Sequence, residues 1–414
     1  MSKKVVILGS TGSIGRNALR VIDSLNSPPA TRYEIRDARY EIVALTANSN
    51  VELLARQAEK YRPKFVCVTN PDYFKALEKL IGSLDIKILV GSDSLVHIAG
   101  LEEVDIVLSA IVGSAGLPAV LAAAKAGKRL AIANKEPLVV AGQLLMKTAK
   151  ETGAEILPID SEHSAVFQAL KAGANTEVNR IILTTSGGPF RKYQPEDLES
   201  VTAEQALAHP VWDMGPKITI DSATMMNKAL EIIEAHWLFD VPVEKIEVLV
   251  HPESIIHSLV EFVDGAVVAQ MGWPDMCLPI QYALTYPARM PGISKKLELE
   301  EVGTLTFERP NLKTFKALSL ARRVAKTGGT SAAVFNAANE QAVELFLEGR
   351  IKFTQIVELI ERCLDKHEVK VKATVDELLE ADRWARKEVL LAYRESKDER
   401  LKGITNNQET ITKQ

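Results

Sequence analysis

Seven short apolar runs punctuate the first 160 residues: KVVILG (4–9), EIVAL (41–45), FVCV (65–68), IKILVG (86–91), VDIVLSA (104–110), RLAIAN (129–134) and EILPID (155–160). They are continuous rather than alternating. A strand with one wet face alternates apolar and polar side chains, so continuous runs mark strands covered on both faces, as in a parallel sheet. Segments of helical pattern, 51–61 and 115–126 among them, lie between the runs. Strand–helix–strand repeats of this kind predict a doubly wound α/β sheet.

The first run leads into GSTGSIG at 9–15. Glycines at 9, 12 and 15 permit a sharp turn and close backbone approach to a pyrophosphate. A helix beginning near Ile14 would aim its N–H groups at that charge. The spacing is GxxGxxG, and a glycine turn also has a purely structural use. Its place after the first strand favours a dinucleotide. An NAD site ends its second strand in an acid that holds the ribose hydroxyls. The acids at the right distance, Glu34 and Asp37, end no apolar run. EIVAL instead runs into TANSN, where Ala47, Asn48, Ser49 and Asn50 are small and uncharged. They can hydrogen-bond a 2′-phosphate without repelling it, which favours NADP.

After residue 160 the pattern changes. In IDSEHSAVFQAL, Asp160 and Glu162 face the same way if the strand continues. In the other reading they sit at a helix N-terminus, where acids suit the helix dipole. SGGPFRKY (186–193) is turn-forming, and AHPVWDMGPK (208–217) carries Trp212 between two prolines. That suits either a lid or a surface loop pinned by the tryptophan. In TIDSATMMNKALEIIEAHWLF (219–239), Ser222 is expected at a helix start, with Met226, Leu230, Ile233 and Trp237 as its apolar stripe. Asn227 and Glu231 are four apart, Lys228 and Glu231 three, so they share a face. This face could hold a phosphate with a metal-binding carboxylate one turn on, or be a Lys–Glu surface pair worth under about 0.5 kcal/mol.

With 414 residues, two or three domains are expected. A net charge of −4 offers no basic excess for nucleic acid or an anionic membrane. Three scattered cysteines, Cys67, Cys277 and Cys363, suit a reducing cytoplasm. No apolar run is long enough to span a membrane, and the start does not read as a signal peptide.

Taken together, NKE (134–136), DSEH (160–163), SGGPFR (186–191), HPVWDMG (209–215), DSATMMNKALE (221–231) and HPESIIHS (251–258) closely resemble the motif series of the 1-deoxy-D-xylulose 5-phosphate reductoisomerase family. GSTGSIG is similar to its cofactor turn, and NAANE (336–340) to its C-terminal helices. The resemblance covers about residues 4–395, in order. It implies that Thr11, Gly12, Ser13 and Ile14 cradle NADPH phosphates, with Asn134, Glu136 and Gly215 as further cofactor contacts. Lys135 and Ser161 would contact the substrate's hydroxyl end. Ser186, His209, Ser222, Asn227 and Lys228 would hold its far end, mainly the phosphate, with Trp212 closing over it. Asp160, Glu162 and Glu231 would ligate Mn²⁺ or Mg²⁺, with Glu162 and Glu231 also reaching the substrate. Some members of the family carry a lysine where this chain has Ser49, which leaves the 2′-phosphate without that ion pair. The implied reaction rearranges 1-deoxy-D-xylulose 5-phosphate to a branched aldehyde and reduces it to 2-C-methyl-D-erythritol 4-phosphate, a step of isoprenoid precursor synthesis.

The expected architecture is a Rossmann-type NADPH domain (1–160), an α+β catalytic domain (161–295) with a flap at 186–216, a connecting segment (296–314), a helical bundle (315–400) and a disordered tail (401–414). LVEFVDGAVVAQMG (259–272) reads as a hairpin turning at Asp264–Gly265. With KIEVLV (245–250) it forms the catalytic sheet, and the family resemblance implies that its outer strands mediate a homodimer. His251 and His257 look like a metal pair only superficially and read as structural or as supports behind the ligands. A metal-independent NADP dehydrogenase of a semialdehyde or hydroxy acid and a non-catalytic NADP-binding sensor are the rival readings. Survival of activity in a chelator would favour the first.

Overall fold

The computed structural model describes residues 2–27, 39–209, 211, 212 and 214–411, with side chains through Lys397. Glu34 and Asp37 lie outside the described residues. By contacts the chain forms two compact units, one of residues 1–184, 234–247 and 253–306, the other of 185–233, 248–252 and 307–414.

All seven apolar runs are strands: β1 (Ser2–Leu8), β2 (Arg39–Ala47), β3 (Phe65–Val68), β4 (Lys87–Val90), β5 (Ile106–Ser109), β6 (Arg129–Ile132) and β7 (Glu155–Pro158). They pair in parallel in the order β4-β3-β2-β1-β5-β6-β7. Helices α1 (Ser13–Asn26), α2 (Val51–Tyr61), α3 (Phe74–Ile81), α4 (Asp93–Ala99), α5 (Leu117–Lys125) and α6 (Glu136–Thr152) make the crossovers. Val5, Val6, Ile7 and Leu8 are all fully buried, so both faces of β1 are covered, as its unbroken hydrophobicity requires. The sheet order reverses its direction of growth at β1, and in such sheets ligands bind beyond the strand ends at that reversal.

A second sheet has the order β11-β10-β8-β9, from β8 (Val178–Thr185), β9 (Ile246–Val250), β10 (Ile256–Phe262) and β11 (Val267–Met271). The expected hairpin is β10–β11, and Gly265 takes the left-handed φ of +87° that its turn demands. β8 pairs antiparallel with β10, a partnership that crosses about 75 residues and left no local signature. Helix α7 (Ser161–Ala169) packs against β7, β10 and β11. That shared helix is why the first sheet and the β10–β11 hairpin fall in one compact unit, although the sequence suggests a boundary at 160.

The other unit is helical: α8 (Ala203–Leu207), α9 (Pro216–Ala223), the first half of α10 (Met226–Phe239), then α13 (Ala317–Thr327), α14 (Ser331–Leu347), α15 (Phe353–Lys366) and α16 (Val375–Ile411). Two further helices, α11 (Cys277–Thr285) and α12 (Leu299–Val302), belong to the first unit. Phe335, Ala338, Ala342 and Leu345 of α14 are buried, as are Leu378, Ala385, Val389 and Ala392 of α16, matching their helical spacing. The polar segment expected as a disordered tail from 401 is helical through Ile411. Extending a nucleated helix adds a hydrogen bond per residue, and 401–411 contains no proline to stop it.

Candidate functional site

The glycine turn is built by steric exclusion. Gly9 has φ +84°, and a Cβ there would lie 2.6 Å from the Ala110 carbonyl oxygen. A Cβ on Gly15 would strike the Gly9 carbonyl. The turn is tied to β2 by Gly9 N–H donating to Thr46 Oγ1 at 2.9 Å, and Ser10 Oγ donates to Gln57 Oε1 at 2.7 Å. Helix α1 therefore starts at Gly12 with no side-chain cap and no acid in its first turn. Its N-terminal N–H groups and positive dipole end, at Thr11, Gly12, Ser13 and Ile14, suit a diphosphate.

Beyond β2, Asn50 Oδ1 caps α2 by accepting from Leu53 N–H at 3.2 Å, and Asn48 Oδ1 accepts from Thr69 Oγ1 at 2.8 Å. The acceptor ends of both amides are thus used within the protein, and their other ends are donors. Asn134 has a similar asymmetry. Its Oδ1 accepts from Ser109 Oγ at 2.8 Å, while Nδ2 is buried with no hydrogen-bond partner. A buried donor of this kind costs free energy until something accepts from it. An uncapped helix start and an orphaned amide fit a nucleotide cofactor.

In the same unit, Lys135 and Asp160, the N-cap residues of α6 and α7, form a largely buried ion pair, Nζ to Oδ2 2.7 Å. Burial alone would raise the Asp160 pKa, but Lys135 and His163 outweigh it and hold the carboxyl below its usual range. His163 is fully buried, its Nδ1 3.7 Å from Asp160 Oδ2 and 3.4 Å from Glu234 Oε2. Its ring stacks on Phe239. Ser161 Oγ donates to Glu162 Oε2 at 2.5 Å. The strand alternative for this segment is incorrect: β7 ends at Pro158, and Asp160 is the N-cap residue of α7 with Glu162 in its first turn.

The second unit carries the remaining residues. Ser186 follows β8, and the left-handed Gly187 and Gly188 turn the chain past α9. A Cβ on Gly188 would lie 2.8 Å from the Ser222 carbonyl oxygen. Ser222 does not start a helix, as the sequence suggested, but sits in the last turn of α9. Met225, at φ +62°, breaks the chain there, and α10 begins at Met226. No Gly or Pro marks this break, which is why periodicity ran through it. Asn227 Nδ2 donates to Glu231 Oε1 at 2.5 Å, and Lys228 Nζ pairs with Glu231 Oε2 at 2.5 Å. Both Lys228 and Glu231 are buried, so the surface-pair reading fails.

His209 Nδ1 accepts from the N–H groups of Val211 (3.2 Å) and Trp212 (2.9 Å). With Nδ1 an acceptor, the neutral ring carries its proton on Nε2, which donates to Ser186 Oγ at 3.2 Å. Burial also holds the His209 pKa below its usual value. Trp212 is half-buried, and the exposed Gly215 is the N-cap of α9. His251 is buried against Phe307, ring centroids 4.9 Å apart, consistent with a structural role. Sequence reasoning passed over Glu234. It shares the 3.6-residue register of α10 with acids and apolar residues alike, and only its contact with His163 singles it out.

Three family profiles match the chain: 1-deoxy-D-xylulose 5-phosphate reductoisomerase over residues 5–142, the C-terminal domain of that enzyme over 156–239, and the DXP reductoisomerase C-terminal domain over 271–388. The 1-deoxy-D-xylulose 5-phosphate reductoisomerase of Chlorobium chlorochromatii is 51% identical over 380 residues, covering 92% of this chain and 97% of that one. The chain belongs to the 1-deoxy-D-xylulose 5-phosphate reductoisomerase family. The reductoisomerase of Clostridium perfringens (strain 13) is 48% identical over 393 residues, 94% of this chain and 100% of its own. Among solved reductoisomerases, that of Zymomonas mobilis in complex with NADPH matches with TM-score 0.87 at 40% identity, over 95% of this chain and 99% of that chain. A reductoisomerase in complex with NADPH, fosmidomycin and magnesium matches with TM-score 0.88 at 41% identity, over the same shares.

Proposed function

We infer that this chain isomerises and reduces 1-deoxy-D-xylulose 5-phosphate to 2-C-methyl-D-erythritol 4-phosphate, with NADPH and a divalent cation. Nucleotide binding rests on the uncapped start of α1 and the buried Nδ2 of Asn134. The observation that carries the reading past a plain dehydrogenase is Glu231, a carboxylate with no solvent exposure on the helix that also bears Glu234, the neighbour of His163. A simple hydride transfer has no use for such a set of buried acids.

Asp160, Glu162 and Glu231 would hold the cation, and an all-oxygen set selects Mg²⁺ or Mn²⁺ over zinc. When bound, the cation supplies a Lewis acid and template for the ketone and its neighbouring hydroxyl, and the nicotinamide supplies hydride. The chain's own groups do the rest. Lys135 Nζ sets a fixed positive charge where the substrate's hydroxyl end lies, and Ser161 orients that end by hydrogen bonding. Ser222 Oγ, Ser186 Oγ, Asn227 Nδ2 and Lys228 Nζ donate to the phosphate. His209 is held neutral, with an Nε2–H ready to donate to an anion. Trp212 and the 186–216 flap exclude water from the reactive aldehyde. Thr11, Gly12, Ser13 and Ile14 take the cofactor diphosphate, Ala47, Asn48, Ser49 and Asn50 the 2′-phosphate, and Asn134, Glu136 and Gly215 complete that contact.

The protein acts on a small molecule, in the cytoplasm, as a homodimer. Among the described residues no helix is long and apolar enough to cross a membrane. The three cysteines are free and buried, and burial pushes each thiol up to about 12. β11 is an edge strand beside the exposed Val263 and Val267, which supports pairing with a second copy.

The test is turnover of the ketose phosphate after exhaustive chelation, with add-back of Mn²⁺ or Mg²⁺. Activity is expected to vanish and return. Full activity in metal-free protein would leave the metal-independent dehydrogenase as the better reading.

A further inference from the structure

Helix α14 carries two fully buried amides, Asn336 and Asn339, among buried residues that are mostly Ala, Val, Leu and Phe. Asn339 Nδ2 donates to Asp221 Oδ1 at 2.8 Å, and Lys217 Nζ lies 2.8 Å from Asp221 Oδ2. Asp221 is itself buried in α9. On its other side, α14 is tied to α16. Asn336 Nδ2 donates to Glu340 Oε1 at 3.1 Å, and Arg386 bridges Glu340 (2.5 Å) and Asp382 (2.8 Å). Burial opposes the charge on Arg386, yet these two carboxylates raise its pKa above the usual value. Polar links thus leave α14 in two directions, one to α16 and one to α9.

The two amides are costly as packing. Asn336 Oδ1 and Asn339 Oδ1 are buried without partners, and a leucine at either position would carry no such penalty. What the bond to Asp221 fixes is α9, whose start follows the flap directly at Gly215 and whose last turn carries Ser222. An apolar contact would let α9 slide, whereas a charge-assisted bond to Asp221 specifies one register.

We propose that Asn339 is a positioning residue: through Asp221 it anchors α9 from the C-terminal helices, fixing both the hinge of the flap and the phosphate-binding Ser222. The proposal rests on the flap and Ser222 roles inferred above. Lys217, the second partner of Asp221, lies one turn inside the same hinge.

The test compares the full-length protein with Asn339→Ala, and with the exchanged pair Asp221→Asn/Asn339→Asp, which keeps one carboxylate–amide bond. Asn339→Ala is expected to raise KM for 1-deoxy-D-xylulose 5-phosphate roughly tenfold. Amide hydrogen exchange over 208–217 should quicken, NADPH affinity should stay as in wild type, and the exchanged pair should recover part of both losses. Asn339→Ser, with a shorter donor, replaces the alanine variant if that does not fold. Unchanged exchange over 208–217, with or without a loss of thermal stability, overturns the anchor. If wild type itself fails to turn over the ketose phosphate, the functional reading falls, while hydrogen exchange still decides whether Asn339 holds α9.

Discussion

Lys228 and Glu231 form an ion pair one turn apart on α10, with side-chain exposures of 2% and 0%. Both charges left water to make it. In a buried pair, removing one partner costs far more than removing both.

Lys228→Met should therefore destabilise the protein by about 3–5 kcal/mol, because Glu231 stays buried after its cationic partner is removed. Glu231→Gln should cost stability for the mirror reason and abolish turnover, while NADPH binding persists. Lys228→Met/Glu231→Leu should regain most of the stability and none of the activity. Urea unfolding of the three variants checks this. Strictly additive losses in the double variant would show that the pair is not coupled.

The cofactor prediction follows from a missing acid. With Asn48, Ser49 and Asn50 beyond β2, kcat/KM should be higher with NADPH than with NADH. Asn48→Asp would set a negative charge beside the 2′-phosphate and should narrow the ratio by roughly tenfold or more. Steady-state rates with each cofactor decide it, and equal values in wild type would contradict the reading of TANSN.

The third prediction concerns pH. His209 has a folded-state pKa below that of an unfolded histidine, about 6.5. As pH falls below 6.5, the unfolded state takes the proton first, so this contribution to stability is present above 6.5 and is lost on acidification. Protonated Nδ1 would face the N–H groups of Val211 and Trp212 with a third donor. The intrinsic-rate-corrected exchange of those two amides should be faster at pH 5.5 than at pH 7.5. In His209→Asn the pH dependence should disappear, and its persistence there would assign it to another group.

The sequence determined much of this by local rules. Continuous apolar runs can be buried only between two layers, and each became a strand of the parallel sheet. Gly9 and Gly15 of GSTGSIG stand where a Cβ would collide with backbone, so composition and geometry state the same constraint. Helical spacing alone put Asn227, Lys228 and Glu231 on one face. Tertiary structure decided what no local rule reaches. The break at Met225 is held in a left-handed conformation by its surroundings, and nothing in TMMNK announces it. Whether Lys228 and Glu231 form a weak surface pair or a buried one depends on what covers α10, since spacing is the same in both cases. Glu234 beside His163, and Asn339 beside Asp221, join residues 71 and 118 positions apart. Sequence periodicity reports which face of an element is apolar, but a contact across such distances exists only once the elements have packed.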